Sequence, residues 1–184
     1  MADIDDLASR LCRLEDIEAI KQLKALYCAR CDDSYDADGL AALFTEDAVW
    51  DGGNTFGRVE SREAIRRHFA GASRRVTIAR HQVMNPIVEI DGDQATGHWL
   101  LFQPCTNATR EGEEAMWLAA TYADTYQRSE DGPQGWLISA MMIDVAFFTP
   151  FDRGWVAQRY LPGREPISPS AGGSRADGGR TSGS

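Results

Sequence analysis

The sequence predicts an α+β fold in which helices come first and one strongly curved antiparallel sheet wraps around them. Three observations carry this. Apolar residues recur at helical spacing early in the chain, the period changes to two at Val76, and four long alternating segments follow with short turns between them. A sheet of that length folded over a layer of helices makes a cone with an interior pocket.

Leu14, Ile17, Ile20, Leu23, Leu26, Tyr27 and Cys31 form one apolar stripe, so residues 13–34 are expected as the first helix. The turn after it carries two adjacent carboxylates, Asp32 and Asp33. Asp36 or Asp38 can cap a second short helix running through Phe44. Residues 48–50 begin a short strand, and Asp51-Gly52-Gly53-Asn54 reads as a loop. A third helix is expected over 61–70, with Ser61 before its first turn and Ile65 and Phe69 apolar.

Residues 76–90, 95–105, 115–128 and 136–148 are the four long strand candidates. Asp91-Gly92-Asp93 is a hairpin turn between the first two, residues 107–114 form a polar loop, and 129–135 another turn. This meander implies antiparallel pairing of neighbours. Residues 1–161 therefore read as one domain. From Pro162 onward the chain is rich in Gly, Ser and Pro without periodicity, and 162–184 is expected to be a disordered tail.

Composition narrows the function. The chain has 184 residues and a formal net charge of -9, from 28 acidic and 19 basic residues, which argues against a nucleic-acid partner. No apolar run reaches the roughly 20 residues needed to span a bilayer, and the acidic N-terminus lacks a signal-peptide pattern. No membrane partner and a cytoplasmic location are expected. Arg62, Arg66, Arg67, Arg74, Arg75 and Arg80 are interleaved with apolar residues and read as a solvated face, with anion binding as the other reading. Cys28 and Cys31 form a C-x-x-C pair, but near a helix C-terminus the dipole disfavours a thiolate. No second Cys/His pair sits at zinc spacing, so buried free thiols and no metal are expected.

Three histidines are candidates for acid–base work. His68 lies among charges and reads as a surface residue, while the face of His98 depends on register. His81 lies mid-strand, with Ala79, Val83 and Asn85 on its side. A carboxylate beside it could fix the tautomer of a general base. A hydrogen-bonded core histidine is the alternative.

The segments LYCARCDDSYDADGLAALFTEDAVWDGG, FGRVESREAIRRHF and RHQVMNPIVEIDGDQATGHW resemble the SnoaL-like branch of the NTF2-like superfamily, across roughly residues 10–150. That branch includes scytalone dehydratase, bile acid 7α-dehydratase and the lindane dehydrochlorinase. The resemblance implies an NTF2-like cone and a cofactor-free lyase working through an Asp-His dyad. A count without gaps back from residues 40–44 puts the dyad on Asp33 and His81, leaving Asp32 to solvent. Tyr27 resembles the pocket tyrosine of the dehydratases, and Trp50 a pocket-wall aromatic. By alternation Gln103, Thr121, Asp144 and Phe148 are expected to look inward as substrate-binding residues. Two departures bear on the reaction. Asp144 stands at the position of a cationic residue on the dehydrochlorinase's last strand, and Cys28 near that of its lysine. A halide leaving group is poorly served.

The implied function is elimination, by dehydration or C–C or C–O cleavage, on a hydrophobic, aromatic or polycyclic small molecule. An isomerase or polyketide cyclase on the same dyad, and a non-catalytic ligand-binding module, are the alternatives. A curved sheet with apolar residues on both faces also implies a homo-oligomer, dimer or trimer. The aromatics Phe147, Phe148, Phe151, Trp155 and Tyr160 either close the pocket mouth, dock on a neighbouring subunit or fill the core.

Overall fold

A computed structural model of the chain describes residues 3–164. Helix α1 spans Ile4–Asp32, longer than its apolar stripe, because Asp5 and Asp6 favour the first turn and nothing before Asp32 breaks the helix. Its C-terminal half buries Ile20, Leu23, Tyr27, Cys28 and Cys31. Ser34 and Tyr35 both take left-handed backbone conformations (φ 56° each), which reverse the chain into α2, Ala37–Ala41. Asp36 caps α2 by accepting from the Gly39 N–H at 3.1 Å.

Strand β1 (Phe44–Asp51) takes in Phe44, which the sequence pattern had assigned to the helix. A single helical turn, α3 (Gly53–Phe56), and the short β2 (Arg58–Glu60) follow. Helix α4 (Arg62–Phe69) starts at Ser61, whose hydroxyl accepts from the Ala64 N–H at 3.3 Å. The expected strand over 76–90 is two strands, β3 (Val76–Ala79) and β4 (Gln82–Asp91). Strands β5 (Gln94–Thr109), β6 (Gly112–Arg128) and β7 (Trp136–Pro150) follow, then a turn of helix, α5 (Gly154–Ala157). The loop expected over 107–114 is mostly strand, with β5 and β6 paired out to Thr109 and Gly112.

The sheet runs β2-β1-β7-β6-β5-β3, with β4 also on β5. It is mixed, because β1 pairs with β7 in parallel while the long strands pair antiparallel. The inner face carries Trp99, Leu101, Gln103 and Cys105 of β5 and Met116, Leu118, Ala120, Tyr122, Asp124 and Tyr126 of β6. Against it lies the C-terminal half of α1. Two polar ties fix that packing. Lys24 Nζ meets Asp124 Oδ2 at 2.8 Å with both side chains buried, and Asp16 accepts from Arg128 at 2.8 Å and from the Trp136 indole at 3.0 Å.

At its far end the chain folds back: the Thr55 hydroxyl donates to the Arg164 carbonyl at 3.1 Å, and the Arg164 guanidinium donates to the Thr55 carbonyl. Residues 162–164 of the expected tail are exposed, with Arg164 hydrogen-bonded to Thr55; the rest of it, 165–184, lies outside the described residues. Among the described residues no helix is long and apolar enough to cross a membrane.

Candidate functional site

The break between β3 and β4 makes the site. Ala79 faces Cys105 and Gln82 faces Phe102, so the two strands share one register, with Arg80 and His81 between them. Arg80 donates its N–H to the Pro104 carbonyl at 3.1 Å, but Pro104 has no N–H to return. The ladder therefore lapses at that step. The N–H of His81 points away from β5, to the sheet edge, where the end of α1 reaches it.

Asp32 is the residue that reaches it. Its Oδ1 lies 3.0 Å from the His81 backbone N and 2.7 Å from His81 Nδ1. The count onto Asp33 is corrected here by one residue. Successive helical residues point about 100° apart, so only one of the two carboxylates can face the β4 edge. Asp33 is the exposed C-cap of α1, its N–H bonded to the Ala29 carbonyl at 2.9 Å. An ionised Asp32 carboxylate accepts from Nδ1–H, and in the neutral ring that makes Nε2 the nitrogen with the lone pair. The His81 side chain is 6% exposed and that of Asp32 24%.

His81 lines an interior cavity of about 100 Å³. Tyr27, Trp50, Gln103 and Phe148, all expected as site residues, line it too. Gln103 sits across from His81 in the shared register of β4 and β5, and Trp50 donates its indole N–H to the Tyr27 phenol oxygen at 3.2 Å. Burial pushes the Tyr27, Tyr35 and Tyr122 phenols up, so they remain protonated donors.

Thr121 and Asp144 are not in this cavity. They face each other across β6 and β7 on the outer face of the sheet, both exposed. The alternation that put Asp144 with Phe148 fails at a bulge: Ala120 pairs with Val145 but Ala119 with Phe147, so one extra residue flips the parity between them. His98 is also exposed on the outer face.

Residues passed over in the sequence complete the wall. His68, read as a surface residue, packs on Trp50 with ring centroids 4.6 Å apart and lines the cavity. Burial, and then the charge of Arg75, hold its pKa below the usual histidine value. Tyr35 stacks on Phe69 and meets the His81 ring edge-on at 6.3 Å. Its left-handed backbone, beside another at Ser34, is a strained placement next to a candidate base, and the adjacent pair Ser34-Tyr35 carries no glycine to signal it. Cys31 and Cys105 border the cavity as buried free thiols, and burial pushes the Cys105 thiol up to about 12. Among the described residues no group of three or more His, Cys, Asp or Glu could hold a metal ion.

Solved structures share this architecture. A candidate scytalone dehydratase from Novosphingobium aromaticivorans DSM 12444 is 17% identical with a TM-score of 0.68, covering 86% of this chain and 97% of that one. The hexachlorocyclohexane dehydrochlorinase LinA-type3 of Novosphingobium barchaimii LL02 is 24% identical, TM-score 0.62, covering 82% and 94%. An NTF2-like protein with a cystatin-like fold from Novosphingobium aromaticivorans is 24% identical, TM-score 0.60, covering 85% and 96%. At these identities the likeness is one of fold. No curated protein matches the chain by sequence. The SnoaL-like domain family, however, matches residues 12–142, most of the chain and all of the cavity except Ile143 and Phe148, and this protein belongs to that family.

Proposed function

We propose that the protein is a cofactor-independent lyase that eliminates water, or cleaves a C–C or C–O bond, in a hydrophobic aromatic small molecule, with His81 as general base and Asp32 as its orienting partner. The observation that carries this is the 2.7 Å contact between Asp32 Oδ1 and His81 Nδ1 at the wall of a cavity. In a dehydration, His81 Nε2 takes a proton from a carbon next to a carbonyl. The released electron pair forms the C=C bond as the neighbouring C–O bond breaks, and the departing hydroxide takes the proton back from the imidazolium, leaving as water. Protonated phenols in the wall, Tyr27 or Tyr35, are placed to donate to the carbonyl oxygen as it gains charge. These steps use only groups of the chain.

At about 100 Å³ the cavity is smaller than the roughly 150 Å³ that admits benzene, which argues against a polycycle. The same dyad also serves an isomerase or a polyketide cyclase, and product identity separates these from a lyase. We further read the protein as cytoplasmic and as a homo-oligomer, the second on the exposed apolar side chains Ile4, Leu7, Leu11 and Leu14 of α1. The test is a panel of aromatic β-hydroxy carbonyl compounds followed by mass spectrometry. Loss of water with the native protein and none with His81→Ala, at unchanged circular dichroism, is expected. Equal turnover by His81→Ala overturns the dyad.

A further inference from the structure

We propose that the cavity mouth is an anion subsite, and that the substrate is an aromatic compound bearing a carboxylate or similar anion held by Arg75. This rests on the acid–base reading above for what happens to the bound molecule, but not for the binding itself. The chain carries 28 acidic residues against 19 basic ones. Yet the cavity wall contains Arg75, His68 and His81 and, among the described lining residues, no carboxylate. With His68 neutral and His81 paired to the Asp32 carboxylate behind the wall, Arg75 is the one formal charge among those lining residues.

Arg75 is placed but unspent. Its backbone is held on both sides, its N–H donating to the Ala72 carbonyl at 2.9 Å and its carbonyl accepting from the Ala108 N–H at 2.8 Å. Several arginines elsewhere have carboxylate partners: Arg30 with Asp36 at 2.7 Å, Arg66 with Glu63 at 2.8 Å, Arg128 with Asp16 at 2.8 Å. The Arg75 side chain has neither a hydrogen bond nor an ion pair among the described residues. It is exposed and lines the cavity, so it stands at the opening. His68 beside it is held neutral and can share the anion as a hydrogen-bond donor.

A guanidinium presents a fork that matches a carboxylate, and a charge at the rim of an apolar cavity gains most from a partner that arrives with the ligand. An anion anchored there leaves the ring to fill the aromatic interior, where His81 waits. Arg75 is thus a specificity residue, and Arg62, Arg66, Arg67, Arg74 and Arg80 do not line the cavity.

The test compares benzoate with benzamide, which share a shape and differ in charge, by NMR titration of the Trp50 indole signal. Benzoate is expected to bind about tenfold more tightly, the worth of a hydrogen-bonded charge of roughly 1.4 kcal/mol. Arg75→Gln should erase that preference without weakening benzamide, Arg75→Lys should restore part of it, and His81→Asn should leave it intact. Failure of benzoate to bind at Trp50, no preference in the native protein, or a preference surviving Arg75→Gln overturns the proposal. Inorganic phosphate binding as tightly as benzoate overturns it in favour of a free-anion site. Loss of turnover in His81→Asn with the preference kept bears only on the catalytic reading.

Discussion

Asp32 acts twice on His81, holding both the ring at Nδ1 and the backbone N–H of the same residue, 2.7 and 3.0 Å away. The first contact sets the tautomer and the second fixes where the ring begins. Asp32→Asn should therefore lower turnover by about 10²–10⁴, the usual worth of an oriented general base, while Asp33→Asn leaves it unchanged; comparing kcat of the two variants checks this. His68 gives a pH signature. Its folded pKa lies below the 6.5 of the free side chain, chiefly through burial. The unfolded chain thus takes up a proton first, and stability, complete above that value, is lost as pH falls from it toward the folded pKa. His68→Gln should flatten the Tm-versus-pH curve in that window. The thiols divide similarly by burial: Cys12 is exposed, while Cys28 and Cys105 are both pushed up to about 12. Iodoacetamide should label Cys12 alone in the native protein, as peptide mapping would report.

Helix α1 is held to β6 by one buried ion pair, Lys24 with Asp124, in which the Tyr126 hydroxyl also donates to Asp124 at 2.8 Å. The ammonium further sits 3.2 Å from the centre of the Tyr122 ring. Lys24→Met leaves a buried carboxylate uncompensated and should cost about 3–5 kcal/mol in urea unfolding. At this scale the sequence was legible where a pattern ran long. The strands β5 and β6 alternate over more than ten residues each, and the hairpin order of β5, β6 and β7 follows from the turns. What escaped were single-residue events. The gap between β3 and β4 is dictated by Pro104, a residue on the neighbouring strand, so no scan along 76–90 can find it. The bulge between Val145 and Phe147 carries no Gly or Pro, and ignoring it puts Asp144 on the face of Phe148; Thr121 lies on β6, whose unbroken alternation places it outside with Asp144.

Across the whole molecule, the residues that could be read were those whose chemistry is local. Tyr27, Trp50, His81, Gln103 and Phe148 lie in the cavity as expected, whereas Tyr35, His68, Arg75 and Tyr122 enter it only through packing between distant segments. The N-terminal half of α1 leaves the sheet beyond Asp16 and exposes Ile4, Leu7, Leu11 and Leu14 at alternating three- and four-residue steps. That is a heptad seam, and two such helices placed in parallel would bring Arg10 of one toward Glu15 of the other. The homo-oligomer proposed above should fall to monomer mass in Leu7→Glu/Leu11→Glu, read by analytical ultracentrifugation.

The central claim is that Asp32 presents His81 Nε2 to the cavity as a free base, and the ¹⁵N NMR spectrum of the His81 ring tests it without a substrate. In the neutral ring Nδ1 should carry the proton and Nε2 should show the shift of an unprotonated nitrogen, with that preference lost in Asp32→Asn. A protonated Nε2 in the neutral ring, or a tautomer indifferent to Asp32→Asn, contradicts the account.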